Sequence, residues 1–274
     1  MHVYKKINIL SLGVVMFLTL LTTAGLAADD PEARAIMQKV EGRDEGDHRT
    51  ADMEMILIDK RGKQRLRKIR SFRMDQGADT YSLMFFLHPA DVKDTGFLTY
   101  DYDDPDRDDD QWLYLPALHK TKRIASSDKS GSFMGSDLNY SDMTSRDLQD
   151  YDYTFYKEKQ KVIDGHEVWV IQSRPRSKAV IEETGYTKGI LFVRQDNHVV
   201  VRSVSWEEKA GYTKWMQINR LERIDGIWVA LDMQVIRRKG KQMVHKTILR
   251  FDNVRFNQDL EDALFTTRRL EKGL

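Results

Sequence analysis

The chain has 274 residues and a nearly even balance of charge, with 44 lysines and arginines against 43 aspartates and glutamates. Domains that bind nucleic acids usually carry a clear excess of positive charge, so this balance gives no reason to expect a nucleic-acid partner. Cysteine is absent from the sequence. Its absence excludes disulfides, thiolate metal sites, cysteine nucleophiles and lipid attachment to an N-terminal cysteine.

The first residues have the pattern of a secretory signal peptide. Lys5 and Lys6 precede an apolar run at residues 9–21, and small residues follow that run. We predict a cleavable signal peptide at residues 1–27 and export to the periplasm. The alternative is an uncleaved membrane anchor, which the polar residues within the apolar stretch disfavour. Residues 28–274 are then predicted to form a single domain.

The sequence that follows predicts one helix and then a large antiparallel sheet. An amphipathic helix begins near Pro31, with Asp29 and Asp30 as capping residues, and ends at Gly42. Strand-like runs follow, and dipeptides such as Asp225-Gly226 between them favour tight hairpins. We expect a mainly β fold of about eleven strands in one curled meander, with runs at 53–57, 63–74, 80–87, 97–102, 111–118, 153–161, 167–173, 189–194, 199–206, 212–223, 227–237 and 242–251.

An irregular segment at residues 119–150 interrupts the strand pattern. It is rich in Ser, Gly and Asp and contains isolated apolar residues such as Phe133. A long segment of this kind inside a β protein usually has a function or packs as a lid. Ser136 or Asp137 is predicted to cap a short helix that runs through Met143.

The sequence gives no indication of catalysis or of a bound metal. None of the seven histidines forms a pair at the spacing of metal ligands. The segment 131–135 resembles a nucleophile elbow, but Phe133 occupies the central position where that motif requires serine. We therefore expect no enzyme activity, no catalytic residue, no metal and no cofactor.

Seven aspartates are concentrated in residues 101–110. Clustered carboxylates can bind calcium, but the glycine and the terminal glutamate of an EF-hand loop are missing. A solvated hairpin loop is the interpretation that we favour.

Aromatic and other large apolar residues are the remaining signal. One sheet with a single helix has too few elements to cover its concave face, so the lid or an apolar ligand must fill it. The alternative is that these residues simply pack the core. The residues predicted to line a ligand cavity or its lid are Phe85, Leu87, Phe97, Tyr100, Trp112, Tyr114, Phe133, Met134, Phe155 and Trp169.

Three segments resemble the outer membrane lipoprotein-sorting protein family: FLHPADVKDTGFL at 86–98, DDQWLYLPAL at 109–118 and SGSFMGSD at 130–137. That family is similar to the periplasmic lipoprotein carrier LolA and the receptor LolB. The resemblance implies a strongly curved, unclosed antiparallel half-barrel, with short plug or lid helices over an apolar cavity. It also implies lipid or lipoprotein acyl chains as cargo, and an inner-membrane exporter of the resistance-nodulation-division type or an outer-membrane acceptor as partner.

Our leading hypothesis is a periplasmic carrier that binds lipid or lipoprotein acyl chains for transfer toward the outer membrane, gated by residues 126–145. An alternative is an envelope interaction or sensor protein that uses the same fold to bind a membrane protein. A third and weaker alternative is an enzyme that acts on lipids.

Overall fold

The computed structural model describes residues 29–274, and the predicted signal peptide lies outside them. The described chain forms one antiparallel sheet in the order β6-β5-β4-β3-β2-β1-β13-β12-β11-β10-β9-β8-β7. The strands are β1 (Arg49–Asp59), β2 (Gln64–Gln76), β3 (Asp79–His88), β4 (Gly96–Asp101), β5 (Asp110–Leu115), β6 (Lys120–Arg123), β7 (Tyr151–Ile163), β8 (His166–Pro175), β9 (Tyr186–Arg194), β10 (Val200–Glu207), β11 (Tyr212–Ile224), β12 (Ile227–Lys239) and β13 (Gln242–Arg255).

The order of the strands shows two meanders joined at one seam. Strands β1 to β6 pair in sequence, strands β7 to β13 pair in sequence, and β13 closes on β1, with Met55 opposite Leu249. The edge strands β6 and β7 are not paired with each other, so the sheet is curved but not closed. The predicted mainly β, unclosed antiparallel fold is confirmed.

The sheet has thirteen strands rather than about eleven. Strand β6 was not predicted because its sequence, KTKR, contains no apolar residue and so shows no alternation. Its four residues pair with β5 at the edge of the sheet. Lysines are typical of edge strands because they discourage pairing with another chain.

In the described part of the chain, three α-helices accompany the sheet: α1 (Pro31–Glu41), α2 (Lys178–Thr184) and α3 (Thr267–Lys272). The predicted first helix is confirmed, and the Asp30 carboxylate caps it by accepting hydrogen bonds from the amides of Glu32 and Ala33 at 2.9 and 3.2 Å. Helices α2 and α3 were not predicted because they are too short to show a clear amphipathic period. No helix within residues 29–274 is long and apolar enough to cross a membrane.

Alternation along β1 sets the two faces of the sheet. Ala51, Met53, Met55 and Leu57 are buried on the concave face, while the residues between them are partly exposed. The concave face receives α1 and the long connection between β6 and β7.

Strands β3 to β5 are covered on both faces. Phe86 points to the concave side, whereas Phe85 packs on the convex side against Phe265 and Leu270 of the C-terminal segment. Gly96 permits this close approach, because a Cβ atom there would lie 2.5 Å from Leu270 Cδ1. Runs of consecutive apolar residues in β3 and β4 therefore reflect two-sided burial.

Leu270 anchors the C-terminal segment and is 0% exposed. We expect Leu270→Ala to lower the free energy of unfolding by about 2–4 kcal/mol, because a large cavity would open against Phe85. Urea denaturation measures this change. Leu274→Ala is the matched control, since Leu274 is 57% exposed, and it should alter stability by less than about 0.5 kcal/mol. Equal effects of the two substitutions would contradict the packing role of Leu270.

Candidate functional site: the cavity beneath the covering segment

Residues 124–150 join β6 to β7 and lie over the concave face; we call them the covering segment. Phe133 is its central apolar contact and is 0% exposed. The ring of Phe133 lies 4.9 Å from that of Phe97 and 6.3 Å from that of Phe86, measured between centroids. Because Phe133 also belongs to the buried cluster that includes Met55 and Leu249, the segment packs on the middle of the sheet.

A buried polar group fixes the segment to β13. The Asp137 side chain is 2% exposed and lies 2.7 Å from both Thr247 Oγ1 and His245 Nδ1. The Asp137 amide also donates to Thr247 Oγ1 at 2.9 Å. Ser136 or Asp137 was predicted to cap a short helix through Met143, which is wrong in its position: Asn139 caps the turn Tyr140–Met143. The physical reason is that the Asp137 carboxylate is already engaged by Thr247.

A second polar group fixes the segment to β9 and β11. Lys214 Nζ donates to Asn139 Oδ1 at 2.7 Å and to the Tyr186 hydroxyl at 2.9 Å, and that hydroxyl donates to Asp142 at 2.8 Å. Burial lowers the pKa of Lys214 and raises the pKa of Tyr186 well above its usual value. These groups are therefore removed from water and satisfied mainly by one another.

Other strands and α2 contribute further attachments. Arg67 on β2 donates to the carbonyl of Met134, and Gln111 on β5 donates to the carbonyl of Tyr140 at 2.9 Å. Lys129 is 1% exposed, and its Nζ lies 2.6 Å from Oε1 of Glu183 on α2. The segment is thus held from both meanders of the sheet, largely through hydrogen bonds and ion pairs.

A cavity of about 790 Å³ remains between the covering segment, α1 and the strands. Its volume is within the range of small-molecule sites. Serines 173, 203 and 205 add small polar groups to its wall. Its apolar wall comes from α1, α2, the covering segment and β9 to β12: Met37, Val40, Leu138, Leu148, Val180, Leu191, Val200, Met216 and Val235.

Carboxylates form much of the remaining cavity wall. They come from the end of α1, the loops around β1, the β4–β5 loop and the covering segment. Burial, and then the charge of Asp101, raise the pKa of Asp109 to about 6. The aspartate-rich stretch forms the predicted loop between β4 and β5. Its two ends, Asp101 and Asp109, are partly buried at the cavity rather than fully solvated.

The ten residues predicted to line the cavity or its lid lie in four surroundings, none of them among the cavity-lining residues. Phe97, Phe133 and Met134 pack together under the covering segment. Phe155 and Trp169 pack beside α1. Leu87 is 38% exposed. The remaining four lie on the convex face under the C-terminal segment: Phe85, Tyr100, Trp112 and Tyr114. Direct ligand contact by these ten residues stays a prediction.

The residues that do line the cavity carried a weak signal in the sequence. Val235 belongs to the alternating apolar run Val229, Leu231, Met233 and Val235 on β12, which indicated a shared face. Nothing in the sequence indicated that Lys214 and Tyr186 line a site. They lie on β11 and β9, which flank β10 in the sheet, and only the tertiary structure brings them together beneath the covering segment.

The Thr247 hydroxyl supports a prediction about the covering segment. Thr247→Val preserves shape but leaves the buried Asp137 amide and carboxylate short of a partner, at a cost of about 1–3 kcal/mol. We expect hydrogen exchange at residues 133–143 to accelerate by about tenfold or more, measured by mass spectrometry. Ser71→Ala is the control, since it removes a hydrogen bond between β2 and β1. Unchanged exchange in the covering segment would rule out the anchoring role of Thr247.

Asp109 predicts a pH dependence of stability. Its folded pKa of about 6 lies above the ordinary value of 3.8. Folding therefore loses stability as pH rises from about 4 to about 6, and the loss persists above that range. Asp109→Asn retains an acceptor for the Tyr102 amide and should be about 1–2 kcal/mol more stable at pH 7.5.

The difference between Asp109→Asn and the parent protein should vanish below pH 4, in thermal unfolding followed by circular dichroism. Asp106→Asn, on the exposed part of the same loop, should show no such pattern. A stabilisation that is the same at every pH would contradict the assignment to Asp109.

Comparison with known proteins identifies relatives with a similar architecture. A family model described as uncharacterized protein-like matches residues 78–272, and no curated protein matches the chain. A DUF1329 family protein from Desulfovibrio piger superposes with a TM-score of 0.78 at 29% identity, over 87% of this chain and 98% of that one. A LolA superfamily protein from Nitrosomonas europaea has a TM-score of 0.64 at 16% identity, over 86% and 98% of the two chains, which shows a shared fold.

A candidate outer membrane lipoprotein-sorting protein domain from Vibrio parahaemolyticus has a TM-score of 0.78 and 30% identity. The match covers 88% of this chain and 98% of that domain. The family indicated by the three sequence segments is thereby confirmed. The chain belongs to the same family as this lipoprotein-sorting domain and has the LolA-like fold.

Proposed function

We propose that the protein is a periplasmic carrier that holds lipid or lipoprotein acyl chains in the cavity beneath the covering segment. The observation that carries this proposal is the space of about 790 Å³ left between that segment and the curved sheet, whose wall contains methionine, leucine and valine side chains beside polar and acidic ones. An apolar wall of this kind favours transfer of a hydrocarbon chain out of water.

The energetics fit a carrier that must also release its cargo. Burial of a methylene group contributes about 0.8 kcal/mol, so a sixteen-carbon chain carries about 12 kcal/mol of gross transfer free energy. A rigid pocket would hold such a chain too tightly for transfer. Met37 and Met216 in the wall can adapt to different chains. The polar groups that attach the covering segment to the sheet can form hydrogen bonds with a partner protein instead. The segment can therefore move without leaving these groups unpaired.

The family supports the same function. The Vibrio parahaemolyticus domain is described as lipoprotein-sorting, and carriage of cargo needs no catalytic residue. Export by the predicted signal peptide, a single carrier domain at residues 28–274, and transfer between an exporter of the resistance-nodulation-division type and an outer-membrane acceptor are parts of this proposal.

Ser203 offers a direct test of the cavity. It lies beside Met216 on β11 and Leu191 on β9, and all three line the cavity. Ser203→Trp should fill the space and weaken binding of the fluorescent apolar probe N-phenyl-1-naphthylamine by about tenfold or more, since tenfold corresponds to about 1.4 kcal/mol. Fluorescence titration of the purified chain from residue 29 onward measures the change.

Arg202→Trp is the matched control, because successive residues of a strand point to opposite faces and Arg202 does not line the cavity. It should bind the probe like the parent protein. Organic extracts of the unmodified protein, examined by mass spectrometry, should contain co-purified lipid. Lipid-free extracts together with no saturable probe binding would overturn the carrier function and favour the interaction or sensor alternative.

A further inference from the structure

The charges around the cavity are strongly unequal in sign. Thirteen carboxylate side chains line it, against five cationic ones. Four of the five cations are already matched to carboxylates within the site: Arg43 and Arg73 to Glu45, and Arg146 and Lys214 to Asp142. The cavity therefore keeps a large excess of negative charge in contact with its apolar wall.

The excess is concentrated where three parts of the chain meet. Glu41 lies at the end of α1, Asp101 and Asp109 border the β4–β5 loop, and Asp147 and Asp150 end the covering segment. Within residues 29–274, no lysine or arginine forms an ion pair with any of these five carboxylates. Burial is the largest cause that raises the pKa of each, and the charge of at least one other carboxylate adds to it. Hydrogen bonds from Ser145 and the charge of Arg73 offset part of this rise at Asp101. A positive charge placed among them would relieve that repulsion.

A buried hydroxyl gives an independent indication of a missing ligand. Tyr151 lines the same cavity and is 3% exposed. Its hydroxyl is fully buried and makes no hydrogen bond of acceptable geometry in the described part of the chain, because the neighbouring Thr184 hydroxyl donates instead to the Val180 carbonyl at 2.6 Å. A buried polar group without a partner costs about 1–3 kcal/mol, so such groups call for a specific explanation. A hydrogen-bond donor on a bound ligand would satisfy this oxygen.

The arrangement does not fit a metal ion. Among the described residues, no three carboxylate or histidine side chains converge closely enough to hold one. The negative charge is instead spread over several parts of the cavity wall, beside the apolar residues. A cation of larger radius, such as an alkylammonium group, can interact with several separated carboxylates at once. The aromatic ring of Tyr151, which also lines the cavity, adds a favourable cation–π surface.

We propose that the preferred ligand of the cavity is an amphiphile with a hydrocarbon tail and a positively charged amine head, bound with its amine near Asp101, Asp109, Asp147 and Asp150. The proposal rests on the carrier function and specifies the class of its cargo. The tail lies against the wall formed by residues such as Leu191 and Met216, and the amine donates a hydrogen bond to the Tyr151 hydroxyl.

Three probes with one tail length separate the contributions of head and tail. Dodecylamine, dodecanol and dodecanoate compete, below their micellar concentrations, with N-phenyl-1-naphthylamine for the chain from residue 29 onward, at pH 7.5 and low ionic strength. We expect dodecylamine to compete at a concentration at least about tenfold lower than dodecanol, and dodecanoate to be the weakest of the three. Added salt should reduce the advantage of the amine, because screening weakens interactions between charges.

Paired aspartate variants test the position of the head. Asp101→Asn with Asp109→Asn should remove most of the advantage of dodecylamine and leave dodecanol unchanged. Asp104→Asn with Asp106→Asn is the matched control: it removes the same charge from the same loop, but neither residue lines the cavity. An equal loss in both double variants would mean that only net charge matters, and would overturn the assigned site.

Tyr151→Phe provides a readout that a structural role would not give. Removing a hydroxyl without a partner should leave thermal stability unchanged or raised, while binding of dodecylamine weakens severalfold and binding of dodecanol does not. A drop in stability with unchanged dodecylamine binding overturns the role of Tyr151.

The three amphiphiles also separate this proposal from the carrier function. If the protein binds dodecanol as tightly as dodecylamine, or prefers dodecanoate, the proposal of a cationic head group is overturned and the carrier function is not. Failure of the fluorescent probe and of all three amphiphiles to bind overturns the carrier function as well.

Discussion

The two free edges of the sheet impose one constraint on the path of the chain. The first meander ends at β6, one edge, and the second begins at β7, the opposite edge. The connection between them must therefore cross the opening of the curved sheet, and residues 124–150 do so over the concave face. The cavity, its lining and the attachments of the covering segment all follow from this crossing, because a segment without strand or long helix cannot fill a concave face completely.

The chemistry of the attachments explains how a stable cover can also move. Phe133 supplies a tightly packed apolar contact in the middle of the segment. Elsewhere the segment is held by buried polar groups, including Asp137 and Asn139, and by main-chain carbonyls that accept from the sheet. The net stabilisation from each such hydrogen bond is modest, whereas leaving its groups unpaired is costly. Movement of the segment therefore requires substitute partners, which water or an acceptor protein can supply.

The distribution of aromatic residues has a second physical origin. Strands β3 to β5 are sandwiched between the covering segment and the C-terminal segment, so consecutive residues such as Phe85 and Phe86 are both buried. From sequence, this richness in aromatic residues indicated the wall of a cavity. In the fold it marks an end of the sheet that is covered on both faces. The apolar part of the cavity wall comes largely from the other meander, where valines, methionines and serines face inward and α1 gives partial cover.

The sequence by itself determined the fold class, the first helix and most of the strands, because apolar alternation, glycine-containing turns and the Asp30–Pro31 start are local properties of the chain. The three family segments also identified the architecture before any coordinates. Strand β6 and the short helices α2 and α3 escaped prediction because four polar residues, or one or two helical turns, have no period to detect. Only the tertiary structure decided which face each aromatic residue occupies and which side chains surround the cavity. That choice depends on contacts between residues far apart in sequence, such as Phe85 with Leu270 and Asn139 with Lys214, and the local pattern of hydrophobicity does not encode them.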